Sequence, residues 1–181
     1  MKEKTYFGKT FRETITEEEI TKRVEELAAQ INSDYAGKDV IFLGILNGSF
    51  LFAAELFKRI TLDAKIAFVK MASYQGTKSS GKVKELIGWN DYVEGKDIVV
   101  VEDIVETGKT LERIKGELTL RKAASIKIAT LLFKPELYEF YDGKIPIDYM
   151  GFEIDNRFVV GYGLDYNGLG RNLPGIYSLI S

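Results

Sequence analysis

The fold is decided by residues 98–111, which read IVVVEDIVETGKTL. The four apolar residues 98–101 are typical of a strand that is covered on both faces of a parallel sheet. Two carboxylates, Glu102 and Asp103, follow directly, and the turn 107–110 leads into a segment with apolar residues at helical spacing. The stretch therefore predicts a strand, a polar loop and a helix, which is the repeating unit of an α/β protein.

Segments on either side continue this alternation. Residues 16–19 have the form of a helix capping box, and the helix that they begin carries apolar residues at spacings of three and four until Gly37. Beyond it we expect a strand over 40–46, a helix over 50–60, a strand over 65–73, a helix over 107–124 and a strand over 126–133. The predicted fold class is α/β, with an open parallel sheet flanked by helices.

Two segments break the pattern. Residues 74–95 are largely polar, which favours a mobile loop or lid. After Pro135 the helical period is lost, and eight of the chain's 22 aromatic residues lie between Tyr138 and Tyr166. We expect one domain over residues 1–181, with a core over about 16–134 and a small, irregular, β-rich hood made of 135–181 and the N-terminal segment.

Composition excludes several classes of site. The chain has no cysteine and no histidine, so it holds no disulfide, thiol nucleophile, Ser-His-Asp triad or histidine-ligated metal. Its 27 acidic and 25 basic residues give a net charge of −2, which argues against a nucleic-acid partner. The charged N-terminal residues are followed by no apolar segment, so we expect no signal peptide and no membrane partner. A chain without cysteine suits a reducing cytoplasm.

The loop after residue 101 has the chemistry of a phosphate site. A glycine turn at the start of a helix offers backbone N–H groups to an anion, while neighbouring carboxylates suit sugar hydroxyls or a divalent cation. The implied ligand is a sugar phosphate, and an ordinary strand-to-helix turn with solvated acids is the alternative. A P-loop is excluded because Asp103 stands where its first glycine is required. In a receiver domain the acidic pair would follow the first strand rather than the third.

Residues 98–111 resemble the signature that binds phosphoribosyl pyrophosphate (PRPP) in type I phosphoribosyltransferases, and the order of segments over about 40–178 resembles the hypoxanthine-guanine phosphoribosyltransferases of purine salvage. The resemblance implies that Glu102 and Asp103 bind the ribose hydroxyls and that the turn 107–110 binds the 5′-phosphate. The PRPP-binding residues that it implies are Glu102, Asp103, Glu106, Thr107, Gly108, Lys109 and Thr110.

The same resemblance assigns the pyrophosphate site and the lid. Residues 46–49 match the family's pyrophosphate loop, in which a non-proline cis peptide turns backbone amides towards the diphosphate. Ser73 and Tyr74 match the pair that opens the catalytic lid, and Arg171 matches an arginine that pairs with pyrophosphate. The pyrophosphate-binding residues are then Leu46, Asn47, Gly48 and Arg171, and the catalytic ones are Glu106, Ser73, Tyr74 and Arg171.

The purine site and the metal are also implied by the resemblance. Lys134 would donate to the six-position oxygen of an oxo-purine, Phe158 would stack on the base, and Val159 would offer backbone hydrogen bonds. Asp165 would lie near Mg²⁺ or near the exocyclic edge of the base. The implied cofactor is Mg²⁺, held by Glu102, Asp103 and Asp165.

The chain departs from the family pattern at three places. Glu106 stands where the family usually has aspartate, Asn47 stands where many members have lysine, and residues 167–170 are richer in glycine than usual. Two other functions stay open: transfer to xanthine, adenine, uracil or orotate, and a non-catalytic, nucleotide-sensing, RNA-binding regulator on the same fold. We expect PRPP and an oxo-purine as small-molecule partners, no nucleic acid, and a cytoplasmic homodimer or homotetramer.

Overall fold

The computed structural model of the chain describes residues 2–71, 85–87 and 93–181. Three α-helices are present in this part of the chain, α1 (Glu17–Asp34), α2 (Phe50–Phe57) and α3 (Lys109–Leu120), together with a short 3-10 helix (Pro135–Leu137). The strands described are β1 (Glu3–Tyr6), β2 (Lys9–Ile15), β3 (Val40–Leu46), β4 (Lys65–Met71), β5 (Glu85–Ile87), β6 (Asp97–Val105), β7 (Ser125–Phe133), β8 (Tyr149–Glu153), β9 (Val159–Val160) and β10 (Ile176–Leu179).

The larger sheet has six strands in the order β5-β4-β3-β6-β7-β8. Strands β4, β3, β6, β7 and β8 pair in parallel, whereas β5 pairs with β4 in antiparallel fashion. This confirms the predicted α/β class and its parallel sheet. The two buried faces of the sheet explain why β3 and β6 consist almost entirely of apolar residues.

Helices cover both faces of this sheet. On one face, Phe42 and Val101 belong to a core that includes the apolar side of α1 and the buried residues of α2. On the other face, Leu43 and Val100 pack with the buried residues of α3, which are Leu111, Ile114 and Leu118. The alternation along each strand therefore divides the apolar core into two layers.

The capping box predicted at the start of α1 is present. The Thr16 side chain accepts a hydrogen bond from the Glu19 backbone N–H at 3.3 Å, and the Glu19 carboxylate accepts one from the Thr16 N–H at 2.8 Å. Helix α3 is shorter than the predicted 107–124. It begins only at Lys109, because Gly108 has a left-handed φ of 84° that lies outside helical geometry.

Both predicted breaks in the pattern contain more regular structure than expected. Strand β5 lies inside the stretch assigned to a loop, while most of that stretch lies outside the described residues. Strand β8 lies beyond Pro135 and yet forms the parallel edge of the larger sheet, so the predicted division between core and hood at 134 is wrong. Its backbone pairs with β7, which sequence periodicity alone does not reveal.

The hood is a regular antiparallel sheet rather than an irregular one. Its four strands lie in the order β1-β2-β10-β9, so strands from the two ends of the chain pair through β2 and β10. The centre of its core consists of Phe11, Val160, Leu173 and Tyr177. This sheet holds the residues that follow β9 against the larger sheet.

The strand order places a ligand site between β3 and β6. The chain leaves β3 through α2 towards β4 on one side, and leaves β6 through α3 towards β7 on the other. The loops after β3 and β6 therefore diverge and leave a crevice at the carboxyl ends of the strands. In the part of the chain that the structure describes, no helix is both long and apolar enough to cross a membrane.

Candidate active site

A cavity of about 510 Å³ lies in the crevice between β3 and β6. It brings together the loop after β3, the loop after β6, the end of β7 and the stretch of the hood around β9. Its lining consists of Ile45, Leu46, Asn47, Gly48, Glu102, Asp103, Ile104, Glu106, Thr110, Arg113, Lys134, Phe158, Val159, Leu164, Asp165 and Arg171. Residues assigned separately to ribose, pyrophosphate and purine thus share one cavity.

Two carboxylates are held out of water at one wall of this cavity. Glu102 is 7% exposed, and its Oε1 accepts a hydrogen bond from the Asp103 N–H at 3.2 Å. The Asp103 Oδ1 accepts one from the Ile104 N–H at 2.8 Å. Burial, followed by the neighbouring charge of Asp103, raises the pKa of Glu102 well above its usual value, and burial also raises the pKa of Asp103. The pair is therefore suited to a ligand that brings a cation or hydroxyl donors.

The pyrophosphate loop is packed tightly against Asp103. The peptide bond between Leu46 and Asn47 is cis, as the resemblance implies. A Cβ atom added to Gly48 would lie 1.4 Å from the Asp103 Oδ2, and one added to Gly163 would lie 2.0 Å from the Gly48 carbonyl oxygen. Only glycine fits at these two positions, because backbone and carboxylate occupy the space of a side chain.

Ser49 does not present its backbone amide to the cavity in the way that the matched loop suggests. Its N–H donates to the Ile45 carbonyl at 3.3 Å, and its hydroxyl donates to the same carbonyl at 2.6 Å. The side chain is fully buried at the start of α2. Asn47 and Gly48 are the residues of this loop that line the cavity.

A second cavity of about 140 Å³ adjoins the first at the start of α3. Thr107, Gly108 and Thr110 line it, and Glu102 and Glu106 line both cavities. A Cβ atom on Gly108 would lie 2.7 Å from the Tyr138 ring. The segment after Pro135 therefore packs directly against this turn. A helix start with a glycine turn and two hydroxyls fits a phosphate group.

Lys109 lies apart from the other residues of the predicted phosphate turn. Its Nζ is 2.8 Å from the Glu139 carboxylate, and it lines neither cavity. Its backbone N–H lies 3.4 Å from the Thr107 hydroxyl. The Lys109 side chain is therefore paired with Glu139 and belongs to neither cavity in this structure.

Where β7 ends, a lysine and a glutamate that line the cavity form an ion pair. Lys134 follows β7 and is 3% exposed, and its Nζ is 2.6 Å from the Glu106 Oε1. Its backbone N–H donates to the Val105 carbonyl at 2.9 Å, which joins the end of β7 to the end of β6. Phe158 is 45% exposed and Val159 is buried beside it. Both are lining residues of the same cavity.

Asp165 and Arg171 pair with each other at the hood side. The Arg171 guanidinium is 2.6 Å from the Asp165 Oδ1 and also donates to the Gly163 carbonyl. The other oxygen of Asp165 accepts a hydrogen bond from the Gly168 N–H at 2.6 Å. The described residues contain no cluster of three potential metal ligands, so Asp165 does not join Glu102 and Asp103 in one ligand group in this arrangement.

Sequence reasoning missed several residues of the cavity. Arg113 is a lining residue, and its position three residues after Thr110 places both on one face of α3. That helical spacing was available in the sequence. Ile104 and Leu164 form apolar parts of the cavity wall, and neither was assigned a role from the sequence. Ser73 and Tyr74 lie outside the described residues.

Comparisons with known proteins agree with this geometry. The phosphoribosyl transferase domain family matches residues 12–167. A hypoxanthine-guanine phosphoribosyltransferase of Lactococcus lactis is 46% identical over 164 residues, which cover 88% of this chain and 86% of the relative. One of Streptococcus agalactiae is 44% identical over 160 residues, covering 88% and 87%. A crystal structure of a Staphylococcus aureus hypoxanthine phosphoribosyltransferase superposes with a TM-score of 0.85 at 43% identity, covering 93% of this chain and 91% of that one.

The fold, the cavity and the family match define the class as the phosphoribosyltransferases. Within that class, the identity of 43–46% to these three relatives, over at least 86% of each chain, shows which family the chain belongs to. The chain belongs to the family of hypoxanthine-guanine phosphoribosyltransferases.

The contact between Gly48 and Asp103 generates a first prediction. We expect Gly48→Ala to lower the free energy of unfolding by roughly 1–3 kcal/mol, because the new methyl group overlaps the Asp103 carboxylate. Gly116→Ala is the matched control, since it lies in α3 with open space around it and should raise stability by about 1 kcal/mol. Urea unfolding measures both changes. In an Asp103→Ala background most of the cost of Gly48→Ala should disappear, and an unchanged cost would contradict the assigned contact.

The acid pair generates a second prediction, which concerns pH. Because the pKa of Glu102 is raised on folding, the folded protein holds this proton when the unfolded chain has already released it above about pH 4.3. The contribution of Glu102 to stability is thus greatest at low pH and falls as pH rises through the raised value. Glu102→Gln removes the ionisable carboxyl, and with it this loss of stability at higher pH. The stabilisation that Glu102→Gln gives should therefore be larger at about pH 8 than at about pH 4.5.

Urea unfolding at the two pH values checks this expectation. Glu153→Gln is the matched control, because it removes one negative charge from an exposed position on β8. A Glu102→Gln protein that is less stable than the parent at the higher pH would show that the ionised carboxylate stabilises the fold.

Proposed function

We propose that this chain transfers the phosphoribosyl group of PRPP to hypoxanthine or guanine, giving the nucleoside monophosphate and pyrophosphate. The observation that carries the proposal is the main cavity, in which the acid pair of β6 lies with the buried Lys134 that follows β7, next to the adjoining cavity at the glycine turn. A phosphate cradle, sugar-binding acids and a donor for an oxo group match the three parts of this bisubstrate reaction. The relatives named above carry the same activity in their names.

PRPP would lie across the loops after β3 and β6. The 5′-phosphate would accept hydrogen bonds from the turn 107–110, and the ribose hydroxyls would donate to Glu102 and Asp103. The raised pKa values of this buried pair support a cation beside it, and carboxylate oxygens are ligands that Mg²⁺ prefers. Mg²⁺ would neutralise charge on the diphosphate. Asp165 would act as a further ligand only after moving towards Glu102 and Asp103, since the described residues hold no cluster of three potential metal ligands.

Departure of pyrophosphate breaks the bond from the ribose C1 to oxygen and leaves positive charge on C1 and the ring oxygen. The amides of Asn47 and Gly48 and the guanidinium of Arg171 would stabilise the negative charge that develops on the leaving group. Such donors act through electrostatic preorganisation, because the fold already holds them in place. Arg171 is fixed by Asp165 and the Gly163 carbonyl before substrate arrives.

The purine would enter between Phe158 and the ion pair of Lys134 and Glu106. Lys134 would donate to the six-position oxygen, and Glu106 would accept the proton on N7 as N9 bonds to C1. These two atoms lie on one edge of the base, and the free protein holds the matching donor and acceptor 2.6 Å apart. An adenine amino group would face the ammonium donor instead, and the unmade hydrogen bond costs about 1–3 kcal/mol.

The proposal also includes a lid and a setting for the enzyme. Ser73 and Tyr74 would close over the reacting centre and exclude water from the charged sugar. We expect the enzyme to work in the cytoplasm as a homodimer or homotetramer, with small-molecule substrates and without a nucleic-acid or membrane partner.

A panel of bases tests this function. With PRPP and Mg²⁺, hypoxanthine and guanine should be converted to their monophosphates, whereas adenine, uracil and orotate should give no product above background. Full chelation by EDTA should abolish turnover and tight PRPP binding. Adenine turnover comparable to that of hypoxanthine would refute the placement of Lys134, and tight PRPP binding in EDTA would refute the metal. No turnover with any base would favour a non-catalytic protein on this fold.

Glu106 generates a separate prediction, because it stands where the family usually has aspartate. Glu106→Gln should lower kcat by at least about 100-fold while PRPP affinity stays nearly unchanged, since the amide no longer accepts the N7 proton. Glu106→Asp keeps the carboxylate and should remain active. Glu136→Gln is the control, because it removes an exposed glutamate that lines neither cavity. A Glu106→Gln enzyme with the parent rate would show that the proton leaves by another route.

A further inference from the structure

The stacking surface of the cavity rests on other aromatic rings. One side of Phe158 faces the cavity, and its ring also contacts Phe11 with a centroid distance of 6.2 Å and Tyr166 with a centroid distance of 5.7 Å. The Tyr166 ring meets Phe158 edge to face, with the two planes at 74°. Neither Phe11 nor Tyr166 lines the cavity, so both act on it through Phe158.

Tyr166 is itself held by the hairpin of β1 and β2. The Phe7 ring, at the tip of that hairpin, packs edge-on against Tyr166 with a centroid distance of 5.6 Å and planes at 80°. The Lys9 ammonium lies 5.0 Å from the centre of the same ring. On the main chain, the Tyr166 N–H donates to the Leu169 carbonyl at 2.9 Å, and the Leu169 N–H donates back at 3.1 Å. Side chain and backbone thus both fix the tyrosine.

We infer that Tyr166, clamped by Phe7 and Lys9, is a positioning residue that sets the plane of Phe158 and thereby the affinity for the purine. An edge-on neighbour restricts rotation of the Phe158 ring, and a surface that is already oriented loses less conformational entropy when a base stacks on it. Edge-to-face contacts also have a preferred geometry, unlike a contact with an aliphatic side chain. The inference rests on the proposed function, because it names what orients the base in that reaction.

The position of the clamp explains why the effect should be selective. Phe158 lies at the hood end of the cavity with Tyr166 against it, whereas the acid pair lies at the end of β6 and the phosphate turn follows that strand. A rotated Phe158 ring therefore changes the surface that meets the base and leaves the acid pair and the phosphate turn in place. A general loss of folding would instead affect both substrates.

Steady-state kinetics with both substrates tests the inference. Tyr166→Leu should raise KM for hypoxanthine roughly 3- to 10-fold and leave KM for PRPP within about 2-fold of the parent. Tyr166→Phe retains the ring and should restore the parent KM for hypoxanthine. Tyr177→Leu is the matched control, because it removes a buried tyrosine of the hood that does not line the cavity, and its two KM values should keep their parent ratio.

Each outcome is decisive. A parent-like KM for hypoxanthine in Tyr166→Leu, or an equal rise of both KM values, overturns the positioning role while the proposed function stands. If Tyr166→Leu does not fold, the double variant Phe7→Leu/Lys9→Gln at the hairpin tip takes its place, and a KM for hypoxanthine raised roughly 2-fold or more supports the clamp. An unchanged KM in that variant overturns it. A parent protein that turns over neither hypoxanthine nor guanine overturns the proposed function and the inference with it.

Discussion

Two carboxylates kept out of water at the end of β6 are the constraint on which the architecture of the site depends. Glu102 and Asp103 lie where a strand buried on both faces meets a crevice, so their burial costs free energy that the surrounding core must offset. Two apolar layers of core hold the strand itself in place. Because the Gly48 backbone packs directly on the Asp103 carboxylate, the same pair also fixes the pyrophosphate loop. A site that is poorly solvated without a ligand gains most when hydroxyls and a cation arrive.

The features that local chemistry determines were predictable from the sequence. The capping box of α1, the apolar runs of β3 and β6, and the acid pair before the glycine turn all involve residues close together in the chain. A buried parallel strand has a distinctive composition, and the order of strands and helices then defines the sheet class. The carboxyl ends of such strands are where ligands bind, so the loop after β6 could be identified as the site from the sequence alone.

The features that depend on distant pairing were not predictable in this way. The hood joins β2 to β10 across almost the whole chain, and no short-range pattern determines that register. Strand β8 is a parallel edge within an aromatic stretch, where helical period is absent and strand period is weak. The ion pair of Lys134 with Glu106, and the turn of Lys109 towards Glu139, arise only when separate loops meet. Family resemblance assigned roles to these residues, whereas their present partners follow from the fold.

Different parts of the site depend on local structure and on distant pairing. The residues proposed to bind the 5′-phosphate and the ribose come from the end of β6 and the turn that follows it, so they are in place as soon as that strand and α3 are formed. The residues proposed for the base come from the end of β7 and from the start of β9, and Phe11, in the hairpin at the other end of the chain, packs against Phe158. Changes in the hairpin can therefore alter the surface offered to the base while the acid pair and the phosphate turn keep their geometry. The proposed base contacts and the proposed ribose and 5′-phosphate contacts are then separable, because their residues come from different elements that meet at the cavity.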